Sequence, residues 1–120
     1  MRKGIIESEY GTITIKKDVI AQYAGHVAAT TAGVIGMAGF SIKDGVYKIL
    51  KRESLRKGVD IDIENNELII NFHIFVNYGV RIPVIANNII DNVMHTIKSY
   101  IGLSVKEINI YVEGMRNMED

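Results

Sequence analysis

Gly58-Val59-Asp60-Ile61-Asp62-Ile63-Glu64-Asn65-Asn66-Glu67-Leu68-Ile69-Ile70-Asn71-Phe72-His73-Ile74-Phe75-Val76 decides the fold. On each side of the two asparagines, apolar and polar residues alternate with the period of two that a half-buried strand requires. Asn tolerates positive φ better than other residues with a Cβ, so Asn65-Asn66 suits a two-residue hairpin turn. Such a turn pairs Ile63 with Leu68, Ile61 with Ile70 and Val59 with Phe72. All three apolar pairs then share one face, so turn and pattern agree on a single register. The same register sends Ile69, His73 and Phe75 to the opposite face.

Asn77-Tyr78-Gly79 breaks the second strand, and Pro83 opens a helix, where its missing N–H is not needed. Ile82, Ala86, Ile89, Ile90, Val93, Ile97, Tyr100 and Ile101 make that helix amphipathic, and Gly102 stops it. Residues 105–112 then form a last strand, with Ile108, Ile110 and Val112 inward and Tyr111 outward. Upstream of the hairpin, residues 10–15 read as a first strand and residues 16–32 as a helix. That helix has Ile20, Tyr23, Ala24, Val27, Ala28 and Thr31 on its stripe. Gly25 inside it implies a close contact, and Gly33 is placed for a left-handed cap. Residues 34–40 are a short strand or an apolar loop, and residues 42–50 a short helix with Val46, Ile49 and Leu50 inward. This order predicts an α+β fold, a two-layer sandwich. A mixed sheet with a central β-hairpin carries two main helices on one face, in one domain spanning residues 1–120.

The 120 residues suffice for one core, and 48% apolar with 23% charged residues is a globular composition. Fourteen basic residues balance fourteen acidic ones, so no global field recruits nucleic acid or anionic lipid. The absence of Cys removes disulfides, thiolate catalysis and Cys-based metal sites, and suits a reducing cytoplasm. The stretch from Met1 to Glu7 lacks the apolar run of a signal peptide.

The chemical inventory is sparse. His26 and His95 fall off the apolar stripes of the two helices and His73 lies on the outer sheet face, so the three do not converge on one metal. There is no G-x-S-x-G elbow and no H-E-x-x-H pair, and Asp60 and Asp62 read as an exposed strand face rather than an acid/base couple. No cofactor or enzymatic activity is expected. Gly33-Val34-Ile35-Gly36 has the spacing of an RNA-backbone clamp, but its middle residues are apolar. With the basic run Lys48, Lys51, Arg52, Arg56 and Lys57, an anion-contact candidate, it forms the alternative reading, a small RNA-binding module. Ile69, Phe75 and Tyr111, three large side chains on an outer face with no second helical layer, are the candidate protein-interaction residues.

With the elements placed, the chain resembles the alkaline shock protein / Gls-type envelope stress response family of mainly Gram-positive bacteria. The match runs through Gly11-Thr12-Ile13-Thr14-Ile15, Val19-Ile20-Ala21, Gly33-Val34-Ile35-Gly36-Met37 and Lys57-Gly58-Val59-Asp60-Ile61. It continues through Tyr78-Gly79-Val80, Gly102-Leu103-Ser104-Val105 and Ile108-Asn109-Ile110-Tyr111-Val112-Glu113-Gly114, covering roughly residues 8–115. Lys16 departs from the Ser or Thr helix cap common in relatives. The resemblance implies a cytoplasmic scaffold or regulatory protein without known catalysis, which works through protein partners that include itself. It further implies membrane association only through a separate anchor protein, with nucleic acid not expected as a partner.

Overall fold

The computed structural model describes residues 3–117, with the side chain of Lys3 left aside; residues 1–2 and 118–120 of the expected 1–120 domain lie outside the described residues. The hairpin has the register that the sequence predicts. β5 (Val59–Glu64) pairs antiparallel with β6 (Glu67–Asn77) through Val59–Phe72, Ile61–Ile70 and Ile63–Leu68. Asn65 and Asn66 both take positive φ, 49° and 63°, as the tight turn requires. β6 is the axis of the molecule. Along one edge it pairs in parallel with β7 (Ser104–Arg116) over its whole length. Its other edge is shared, with β5 along residues 67–72 and β3 (Val34–Ser41) along residues 74–76. The inward residues of β6, Leu68, Ile70, Phe72, Ile74 and Val76, are all at most 1% exposed. Each such buried side chain contributes roughly 1.5–3 kcal/mol relative to exposure.

Two helices cover that face. α1 (Lys17–Ala29) buries Ile20, Ala21, Ala24, Gly25 and Ala28, and α2 (Ile82–Thr96) buries Ile85, Ile89 and Val93. Both stripes are rotated from the expected ones. On α1, a kinked 3-10 segment (Arg52–Gly58) packs against the Gly25 flank. A Cβ on Gly25 would stand 3.2 Å from the Leu55 carbonyl oxygen, so the close contact implied by this glycine is real. Tyr23 is thereby left at the edge of the stripe, partly exposed. Lys16 caps α1 with no side-chain hydrogen bond. α2 runs into one π turn (Ile97–Ile101), closed by the Gly102 N–H donating to the Ile97 carbonyl at 2.9 Å. The wider turn shifts the helical phase and swings Tyr100 out to 74% exposure. Gly102 stops the helix as expected, in a left-handed conformation. Gly33 has φ +93°, but it lies past the helix end, which Thr30 closes by donating its N–H to the His26 carbonyl.

Residues 42–50 are not a helix. β3 turns back through Gly45 (φ +68°) into β4 (Val46–Ile49), with Ser41 paired to Val46 and Phe40 to Tyr47. The i, i+3, i+4 spacing of Val46, Ile49 and Leu50 imitates a helix, but the positive φ at Gly45 and the ladder to β3 prevail. β5 occupies the edge of β6 from Phe72 toward the turn, so β3 loses β6 as a partner beyond Met37, and its second half pairs with β4 instead. β4 is thus carried by the second half of β3 as the outer strand of a five-stranded sheet ordered β4-β3-β6-β5, with β7 on β6. The contact of Tyr47 with His73 places that ring on the side away from the helices.

A strand the sequence did not announce, β1 (Lys3–Ser8), pairs with β2 (Gly11–Lys16) as a separate two-stranded ribbon. Ile6 and Ile15 pack it against the core, and Asn66 adds a polar tie to the body. The Asn66 side chain accepts from the Ile5 N–H at 3.1 Å and donates Nδ2 to the Ile5 carbonyl at 2.7 Å. Asn66→Gly keeps the turn conformation but removes both bonds. The expected result is a loss of about 1 kcal/mol in global stability. Faster amide exchange should accompany it in β1 and β2 but not in β6; uniform acceleration in all three strands would contradict this role for Asn66.

Candidate protein-interaction face

The side of the sheet away from the helices is built by the alternation that builds the core. His73 of β6 stands between Tyr47 of β4 and Tyr111 of β7, with ring centroids 5.5 Å and 5.0 Å away and planes nearly parallel. Phe40 of β3 meets Tyr47 edge-on at 5.3 Å, so four rings cross the face from β3 to β7. The imidazole is braced at both nitrogens. Nδ1 lies 2.6 Å from Glu113 Oε2, and Nε2 lies 3.3 Å from Asp60 Oδ2. A β-bulge between the Ile74–Val112 and Phe75–Gly114 pairs leaves Glu113 as the extra residue, and its carboxylate reaches the outer face beside His73. Toward the Asn65-Asn66 turn, Asn109 donates to Asn71 at 2.8 Å and to Glu107 at 2.9 Å. The rings at the two ends of the row are open to solvent, with Phe40 56% and Tyr111 49% exposed.

The three expected contact residues divide. Tyr111 is exposed and Ile69 half-buried, both on the outer face. Phe75 also points outward but is only 3% exposed, which corrects its reading as a solvent-facing anchor. Its strand neighbours are Gly36 and Gly114, which leave room for the ring to lie flat along the sheet. A Cβ on Gly114 would stand 2.7 Å from Phe75 Cε1. The Arg116 guanidinium then covers the ring at 4.8 Å from its centroid. Tyr47 was missed because residues 42–50 read as a helix, and Phe40 because residues 34–40 read as a short strand or an apolar loop with no partner strand beside it. The signal was present as Asp44-Gly45, a hairpin-turn dipeptide.

The other candidates do not assemble. Lys48 forms an exposed ion pair with Asp44, whose carboxyl is held below its usual range by the hydrogen bond and charge of that lysine. Lys51 is exposed after β4, while Arg52, Arg56 and Lys57 are exposed on the 3-10 segment that leans on α1. The run is thus divided between the hairpin and the helix layer. In the stretch 33–36, Gly33 lies in a turn and Gly36 is buried in β3, with Ile49 Cγ2 2.9 Å from where its Cβ would stand. This is not the open loop that a backbone clamp needs. His26 and His95 are exposed on separate helices, and among the described residues no three His, Asp or Glu side chains are grouped to hold a metal. No helix among the described residues is long and apolar enough to cross a membrane.

Residues 5–117 match the alkaline shock protein 23 family, described by a cell envelope-related function. The chain is 39% identical over 112 residues to the uncharacterized protein YloU of Bacillus subtilis, covering 92% of this chain and 93% of that one. It is 32% identical over 112 residues to the uncharacterized protein Spy1614 of Streptococcus pyogenes, again covering 92% and 93%. A stress response regulator, the gls24 homolog of Streptococcus pyogenes, is 24% identical over 117 residues, covering 98% of this chain and 65% of that protein. No solved structure matches. The match over nearly the whole chain, on the α+β fold described above, places this protein in the alkaline shock protein 23 family.

Proposed function

We propose that the protein is a non-enzymatic scaffold or regulator in the cell-envelope stress response, acting in the cytoplasm through protein contacts made by the outer sheet face. The observation that carries this reading is the row Phe40–Tyr47–His73–Tyr111. It is held rigid by stacking and by two carboxylates, with both end rings left half-exposed. Rigid aromatic side chains bury large area at small entropic cost and commonly dominate protein interfaces. On this reading, membrane proximity comes through a partner.

A photo-crosslinking residue placed in living cells at position 111 tests this against one at Asp91, exposed on α2. The expected result is a discrete adduct from position 111 and none from position 91. Adducts from position 91 alone would move the working surface to the helix layer.

A further inference from the structure

We infer that the free edge of β7 receives an extended basic strand from a partner protein, a mode of binding that rests on the outer-face reading above. Among the described residues β7 pairs with β6 and with no other strand. Its bulges lie at Lys106 and Glu113, so residues 107–112 form a regular stretch whose outward backbone groups are available to an added strand.

Both faces of that stretch show what such a strand must carry. On the core side, Ile108, Ile110 and Val112 are only partly buried, whereas their β6 partners Ile70, Phe72 and Ile74 are at most 1% exposed. The shortfall lies at the open edge, where an added strand would place apolar side chains. On the outer side, Tyr111 stacks on His73 through one face of its ring and remains half-exposed. On its own strand Glu113, which pairs with His73, follows it, and Glu107 lies beyond Asn109, to which it is hydrogen-bonded; Lys106, at the first bulge, is paired with Glu64 on β5. Arg116 is at the far end, over Phe75. The alternate residues of an incoming strand therefore meet Glu107, the open face of Tyr111 and Glu113, surroundings that recognise arginine or lysine. Arginine fits better, because its planar guanidinium can stack on Tyr111 while donating to a carboxylate.

A second copy of this chain fits worse. An antiparallel β7 that sets Ile110 against Ile110, and so keeps Ile108 against Val112, also sets Glu107 against Glu113 twice.

The probe is an acetylated six-residue peptide of alternating valine and arginine, titrated into the isotopically labelled full chain and followed by amide NMR. The expected result is shift changes and exchange protection confined to residues 107–112 and the Tyr111 ring. Binding should weaken roughly tenfold for Tyr111→Ala, whose fold is checked by its melt, and weaken as salt rises. Two altered peptides isolate the two elements of the proposal. Replacing arginine by glutamate removes the charge match, and methylating alternate backbone nitrogens removes the ladder. Each should abolish binding. Equal binding by either altered peptide, or changes centred on residues 51–57, would overturn the proposal. So would a concentration-dependent dimer that already protects residues 107–112, since a second copy would then hold the edge. If the peptide fails while position 111 still crosslinks to a partner, strand addition falls alone. If the crosslink fails as well, the outer-face reading falls with it.

Discussion

Ile70→Lys leaves a chain that no longer folds cooperatively at 25 °C, while Ile69→Lys, one residue earlier, melts within about 1 kcal/mol of the wild type. The two isoleucines are neighbours in sequence and differ only in the side of β6 they occupy. Ile70 is fully buried between Ile61 and Ile108 under the helices. A lysine there loses the packing of an isoleucine, about 2–5 kcal/mol. It also puts an unpaired ammonium in an apolar core, costing several kcal/mol more even if it sheds its proton. That sum is comparable to the roughly 5–15 kcal/mol by which a domain of this size is stable. Ile69 is half-exposed and stands between Asp62 and Glu107, where an ammonium is tolerated. Urea unfolding of both variants checks the face assignment, and equal losses would contradict it.

The second large effect is at Phe75. Counting strand alternation alone makes it a surface residue whose removal costs little stability. The buried ring, seated over Gly36 and Gly114 and covered by Arg116, says otherwise. Phe75→Ala should cost about 3–5 kcal/mol, lowering the thermal midpoint by roughly 10–20 °C. Tyr111→Ala, on the same face, should move it by only a few degrees. A Phe75→Ala midpoint matching that of Tyr111→Ala would return Phe75 to the surface.

These two residues show where sequence legibility stops. The hairpin could be read to the residue because its turn chemistry and its alternation are independent signals, and both come from contiguous sequence. β7 and α2 were legible for the same reason. Which outward residues are covered was not legible, since coverage comes from another part of the chain. Phe75 is buried by two glycines on neighbouring strands and by Arg116, contacts between residues far apart in sequence. The aromatic row needed β4 to pair with the second half of β3, and it does so because β5 holds the edge of β6 there. The rotated stripes of α1 and α2 have the same origin. The 3-10 segment and the π turn alter which side of a helix faces inward without altering its periodicity. Of the site, Tyr111 and Ile69 were legible from alternation, whereas Phe40, Tyr47 and the bracing of His73 were not.

The family match gives a cell envelope-related function, and the outer face is the surface proposed to carry it. That surface is aromatic and acidic, while the basic residues of the 3-10 segment lie with the helix layer.

The most direct test of the outer-face claim replaces the native copy by a Phe40→Ser, Tyr111→Ser variant and measures growth under envelope stress. The deletion strain and a strain carrying Arg52→Ala, Arg56→Ala and Lys57→Ala serve as references. If the outer face is the working surface, the double variant, folded and present at wild-type level, grows like the deletion and the basic-segment variant grows like the wild type. The reverse pattern, with the double variant unaffected and the basic-segment variant failing, would contradict it.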